Sequence, residues 1–174
     1  MIDDSLTVAG IPIPSSEPLF LSVLAIHVLA GLTCVVVGLA AMLSRKMRGR
    51  HSRAGSVYYW SMSVVFASMA ILSGLRWEHN KVLFGLGVLA FGSASVGRWA
   101  LRHRWSSWVR THIAGMGFSY IILLTAFYVD NGPHLPLWKH LPTLAYWTVP
   151  VAVGAPFLVR ALLRHPLLRQ QASR

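Results

Sequence analysis

Leu19 to Leu43 reads LFLSVLAIHVLAGLTCVVVGLAAML and holds no charged residue. An α-helix rises about 1.5 Å per residue and bilayer hydrocarbon is about 30 Å thick, so roughly 20 apolar residues span it. This run is long enough to cross. Four more runs follow: Val57 to Leu75, Val82 to Gly97 (extendable to Trp99), His112 to Val129, and Leu144 to Val159 (extendable to Leu163). Backbone groups in lipid must bond within their own segment, which favours helices over open strands.

Composition agrees. Only 12% of the 174 residues are charged, against about 25% in soluble domains, too few to cover a water-facing surface. Mean hydropathy is +0.54. The net charge of +11 would suggest nucleic acid in a soluble chain. Here the bases sit in short clusters between apolar runs, which fits anionic lipid headgroups and no nucleic acid. The single cysteine, Cys34, excludes an intrachain disulfide and reads as a buried small residue.

Charge placement predicts direction. Arg45, Lys46, Arg48, Arg50 and Arg53 follow the first run; Arg98, Arg102, Arg104 and Arg110 follow the third; Arg160, Arg164, Arg169 and Arg174 follow the fifth. Only Arg76, Lys81 and Lys139 fall on the other side, with Asp3, Asp4, Glu17, Glu78 and Asp130. The positive-inside rule then puts the N-terminus outside and the C-terminus in the cytoplasm. The expected fold is an all-α membrane protein, a five-transmembrane-helix antiparallel bundle in the cell membrane. Residues 1–18 read as an extended extracytoplasmic leader without the basic start of a signal peptide, 19–163 as the helical domain, and 164–174 as a cytoplasmic tail. Tyr58, Tyr59, Trp60, Trp77, Trp99, Trp105, Trp108, Trp138, Tyr146 and Trp147 are expected as headgroup anchors.

Small residues predict helix contacts: Gly31 and Gly38 on the stripe of His27 and Cys34; Ala67, Ala70 and Gly74; Gly85, Gly92 and Ser95, with Ala90, Ala94 and Gly97 beside them; Gly115 and Ser119 on the side of His112. Pro150 and Pro156 predict static kinks in the fifth helix.

Three histidines stand out. His27 lies roughly 12 Å along the first helix, where an ionisable residue faces the bundle or a cavity. It is a separate candidate for a cofactor, a proton relay or a cross-helix hydrogen bond. His51, just before the second helix, and His112, at the start of the fourth, are expected at one membrane side. As a pair they suit haem or a transition metal. His27 is offset from His112 by about 15–20 Å, too far to share one iron. Pairing it would need His79, His134 or His140 to dip inward. The segment Asp130 to Pro136 reads as a rigid connecting loop, and Glu78, His79 and Asp130 as a weaker divalent-ion candidate.

The chain resembles the DUF2306 family of multi-helix membrane proteins. The residues that carry the resemblance are His27 and the glycines after it, the basic loop, the run His51-Ser52-Arg53-Ala54-Gly55-Ser56-Val57-Tyr58, and His112 to Tyr120. It covers His27 to Tyr120, and Ser52 interrupts the family's His-Arg wording. The resemblance implies membrane architecture and supplies no catalytic residue.

Three functions are expected: a structural, assembly or lipid-interacting component with membrane lipids and a membrane-protein partner or oligomer around it; a haem-binding or quinone-linked redox protein; or a transporter of a small solute or proton. No hydrolase constellation, Walker motif or dinucleotide fingerprint is present.

Overall fold

A computed structural model describes residues 6–8, 11–13, 17–44 and 49–164. The bases Arg45, Lys46, Arg48, Arg169 and Arg174, the acids Asp3 and Asp4, and His165 lie outside the described residues. The described residues hold five helices long and apolar enough to cross a membrane: α1 (Pro18–Leu43), α2 (Arg50–Leu75), α3 (Trp77–His103), α4 (Trp108–Asn131) and α5 (Thr143–Arg164). The protein is a multi-pass integral membrane protein. Ahead of α1, β1 (Leu6–Val8) pairs antiparallel with β2 (Ile11–Ile13), Leu6 opposite Ile13, so part of the expected extended segment is a short hairpin.

The helices run past the apolar stretches. Helix α2 begins at Arg50 rather than Val57, and α3 at Trp77 rather than Val82, leaving Arg76 as the joint between them. Polar residues at a helix end sit in the headgroup layer, so helix bounds and hydrophobic bounds need not coincide. Gly49 enters α2 at φ 121°, open to glycine and strained for other residues. Helix α5 stays continuous through Pro150 and Pro156. Membrane hydroxyls return to their own helix: Thr33 to the Leu29 carbonyl at 2.8 Å, Ser93 to Leu89 at 2.6 Å and Thr125 to Ile121 at 2.9 Å.

Chain neighbours pack antiparallel, α1 on α2, α2 on α3, α3 on α4 and α4 on α5; α4 also touches α1. Helices α1 to α4 thus form a ring of four, with α2 and α4 on its diagonal, and α5 stands outside against α4. The tightest approach is between α3 and α4. A Cβ on Gly115 would lie 2.6 Å from the Ser93 carbonyl oxygen and 2.8 Å from the Gly97 nitrogen. These two backbones touch because both glycines lack a side chain.

Not every expected stripe is a contact. Ala67, Gly74, Gly85 and Gly92 are exposed, and a Cβ on Gly74, Gly85 or Gly92 would meet nothing within 4 Å. The α2–α3 seam is instead filled by rings. Tyr59 lies 6.0 Å from Phe91, Phe91 5.0 Å from Phe66, Phe66 6.1 Å from Phe84, and Phe84 5.8 Å from Trp77. Asp130 and Asn131, expected in the connecting loop, end α4, and two 3-10 turns at Gly132–His134 and Trp138–His140 form the connection. Trp138 pins it by stacking on Tyr128 at 3.8 Å.

Candidate functional site

The core is built in layers seven residues apart. On α1 the inward positions are His27, Cys34 and Ala41; on α2, Val65, Tyr58 and His51; on α3, Leu83, Ala90 and Gly97; on α4, Ala126, Ser119 and His112. Seven residues are two helical turns, about 10.5 Å, so each helix returns the same face to the axis at every step. Polar contacts mark the layers.

The layer nearest the basic ends of the helices holds the expected pair. His51 and His112 come together, ring centres 6.5 Å apart and planes at 86°. Both are half-buried, and they project from the diagonal helices α2 and α4. His51 is in the first turn of α2 and His112 in the second turn of α4, so they lie inside the helical bundle rather than in its loops. His51 Nδ1 donates to the Ala41 carbonyl at 2.9 Å, and His112 Nδ1 donates to the Gly97 carbonyl at 2.9 Å. A carbonyl only accepts, so each Nδ1 carries the proton. A neutral imidazole in that tautomer keeps its lone pair on Nε2, the arrangement of a histidine prepared to bind a metal.

The middle layer joins the same two helices. The Tyr58 hydroxyl and Ser119 Oγ are 2.8 Å apart, both buried, and Cys34 Sγ lies 3.7 Å from the Tyr58 carbonyl. Tyr58 is therefore a core residue and not a headgroup anchor: α2 starts two turns earlier than its apolar run, which carries Tyr58 below the headgroups. Tyr120 fills the space between α4 and α1, with its hydroxyl donating to the Val35 carbonyl at 3.0 Å and its ring against Gly38.

His27 sits in the far layer, two steps and about 21 Å from the first. Its Nδ1 is 2.9 Å from Ser68 Oγ. That hydroxyl also lies 2.8 Å from the Val64 carbonyl and 3.0 Å from the Val65 carbonyl, so it ties His27 to the α2 backbone. The structure thus places a serine, not an imidazole from His79, His134 or His140, at this nitrogen. The weaker divalent-ion candidate is not assembled. Glu78 pairs with Lys81 at 3.0 Å, and no group of three or more His, Cys, Asp and Glu comes together among the described residues.

Compared with known proteins, no family model, no curated protein and no solved structure matches this chain.

Spacing in the sequence carried a signal for the middle layer. Tyr58 follows His51 by seven residues, as Ser119 follows His112. A helix pair that joins one rung at this interval joins the next. A second site without such a signal is Arg98, whose guanidinium carbon lies 4.7 Å above the Tyr59 ring.

Proposed function

We propose that the protein is a membrane-embedded one-electron carrier in which His51 and His112 would hold a haem. The observation that carries this reading is the pair itself: two imidazoles on diagonal helices, each with Nδ1–H on a main-chain carbonyl, ring centres 6.5 Å apart. Two imidazoles on opposite faces of one metal, at about 2.0–2.1 Å each, have centres roughly 6.3 Å apart. Helical bundles build cofactor sites from facing core positions of this kind.

The donor set points to haem over a bare ion. Two imidazoles alone are too few donors for a bare ion, and a tetrapyrrole would supply the rest. At this level the Tyr120 ring fills the space beside Gly38 and the α4 backbone that beside Gly97, so a macrocycle would have to displace Tyr120. Haem supplies reversible one-electron chemistry when bound. The chain's own part is to orient two rings and hold their protons on Nδ1. The Ala41 and Gly97 carbonyls do this and raise the basicity of Nε2.

A second reading, a structural or lipid-interacting component without a cofactor, is favoured by the same bonds seen as interhelical links. His27 with Ser68 and Tyr58 with Ser119 join helices without a ligand. Membership of the DUF2306 family and the orientation with the basic ends in the cytoplasm are part of this proposal. They are supported by the run His51 to Tyr58 and by the alternation of bases.

Purification in mild detergent, with an absorption spectrum and iron analysis, tests the reading. Wild type is expected to show a Soret band that shifts on reduction with dithionite. His51→Ala and His112→Ala each lose most of it, while His27→Ala keeps it. Wild type purified from haem-replete cells without a Soret band would overturn the proposal in favour of the second reading.

A further inference from the structure

Arg98 leaves α3 five residues before its last residue, His103, about 8 Å inside the helix end. A charge at that depth needs a partner or a route to the headgroups. Its side chain lies in the α2–α3 seam, with the guanidinium carbon 4.7 Å from the Tyr59 ring centre and 5.9 Å from that of Trp60. These contacts satisfy the face of the ion, since an aromatic quadrupole attracts a cation. They leave its edge. The buried Nε–H has no hydrogen-bond partner. Guanidinium N–H groups lie in one plane and match a carboxylate or phosphate by two parallel bonds.

The Nε nitrogen is closed to any outside ligand, so an acceptor from outside the bundle can reach only the two Nη groups. Trp60 is 60% exposed and Trp99, next to Arg98, is 54% exposed, which puts this seam on the lipid-facing surface. Hydrocarbon offers no acceptor; the phosphate of a lipid headgroup does. Arg102, one turn further along α3 and exposed, adds positive charge towards the helix end.

We propose that Arg98, held face-on by Tyr59 and flanked by Trp60, binds the phosphodiester of an anionic phospholipid at the basic end of the α2–α3 seam. The rings fix the guanidinium plane so that the two Nη groups, at the open edge of the ion, present their N–H groups to two phosphate oxygens, while the acyl chains lie along the exposed seam. The site differs from general attraction between a basic surface and a bilayer because one residue and one geometry carry it. It stands whether or not His51 and His112 hold haem.

The test uses full-length protein in nanodiscs of phosphatidylcholine containing a minor fraction of phosphatidylglycerol, with lipids retained after detergent extraction counted by native mass spectrometry. Both lipids carry the phosphodiester, but the choline cation offsets its charge, so wild type is expected to retain phosphatidylglycerol over phosphatidylcholine. Arg98→Gln weakens retention about tenfold, as expected for loss of a charge-assisted bidentate contact. Arg98→Lys, a point charge without the fork, retains an intermediate amount, and Arg102→Gln stays near wild type. Equal losses in Arg98→Gln and Arg102→Gln would overturn the proposal, reducing the effect to bulk charge. A second arm adds inorganic phosphate. Displacement of the lipid by millimolar phosphate would also overturn it, since the site would then take free phosphate. If Arg98→Gln does not fold, Arg98→Lys and Tyr59→Leu decide, both being expected to weaken retention.

Discussion

At the scale of single residues, hydrogen bonds in the core are unequal in what their loss costs. Tyr58 and Ser119 share one bond, but their alternatives differ. A serine on a helix can turn its hydroxyl to the carbonyl four residues back, here that of Gly115. A tyrosine hydroxyl held far from its own backbone cannot. Tyr58→Phe is therefore expected to cost roughly 0.5–1 kcal/mol, near the usual value for one interhelical bond in a membrane. Ser119→Ala strands the phenol and is expected to cost about 1–3 kcal/mol. Reversible unfolding in mixed micelles checks the order, and equal costs would contradict the assignment. His27 supplies a second residue-scale expectation. Ser68→Ala removes its cross-helix partner and lowers stability without altering any absorption that depends on His51 and His112, because the layers are about 21 Å apart.

At the scale of elements, the α3–α4 crossing and the α2–α3 seam use opposite devices. The crossing depends on absent side chains. Gly115→Ala places a methyl against main-chain atoms at 2.6 and 2.8 Å, which a side-chain rotation cannot relieve. The expected cost is about 1–3 kcal/mol, and His112, one turn away on the same helix, is displaced with it. Gly31→Ala on α1 is the contrasting change: a Cβ there meets nothing within 4 Å, so helix propensity alone predicts a gain of roughly 0.5–1 kcal/mol. Thermal unfolding of the two variants in one detergent checks the sign difference. The seam depends on ring area. Phe66 stacks on Phe91 at 5.0 Å with planes at 9° and also meets Phe84, so Phe66→Ala is expected to cost about 2–4 kcal/mol by opening a cavity.

At the scale of the whole molecule, α5 is an addition to a four-helix unit. It packs on α4 through Leu158 against Gly117 and Ile121 against Gly154, and contributes none of the layer residues. Truncation after Pro142 is expected to lower stability while leaving the spectrum of a His51–His112 centre in place. Loss of the spectrum in a truncated protein that remains helical by circular dichroism would show that the centre needs the fifth helix. The charge map makes its own prediction. Cysteines introduced at Ser16 and Ser173 are expected to label from opposite sides of the membrane, and labelling from one side would refute an odd number of crossings.

The sequence alone determined the membrane character and the five helices. An uncharged run such as Leu19 to Leu43 has one inexpensive environment, and the length of a helix in lipid follows from bilayer thickness. Hydropathy misplaced the start of α2, because Arg50 to Ser56 is polar yet helical, and that error made Tyr58 look like an anchor. The sequence also marked His51 and His112 as a pair on one side of the membrane. Only tertiary structure decided that they meet. Two helices that are not chain neighbours can rotate and slide independently, so their facing residues depend on packing. Here the contact of Gly97 with Gly115, the bond of Tyr58 to Ser119 and the Tyr120 ring on Gly38 fix that register. The same dependence hid Arg98, whose neighbours Tyr59 and Trp60 lie far away in sequence and are brought beneath it by the α2–α3 turn at Arg76.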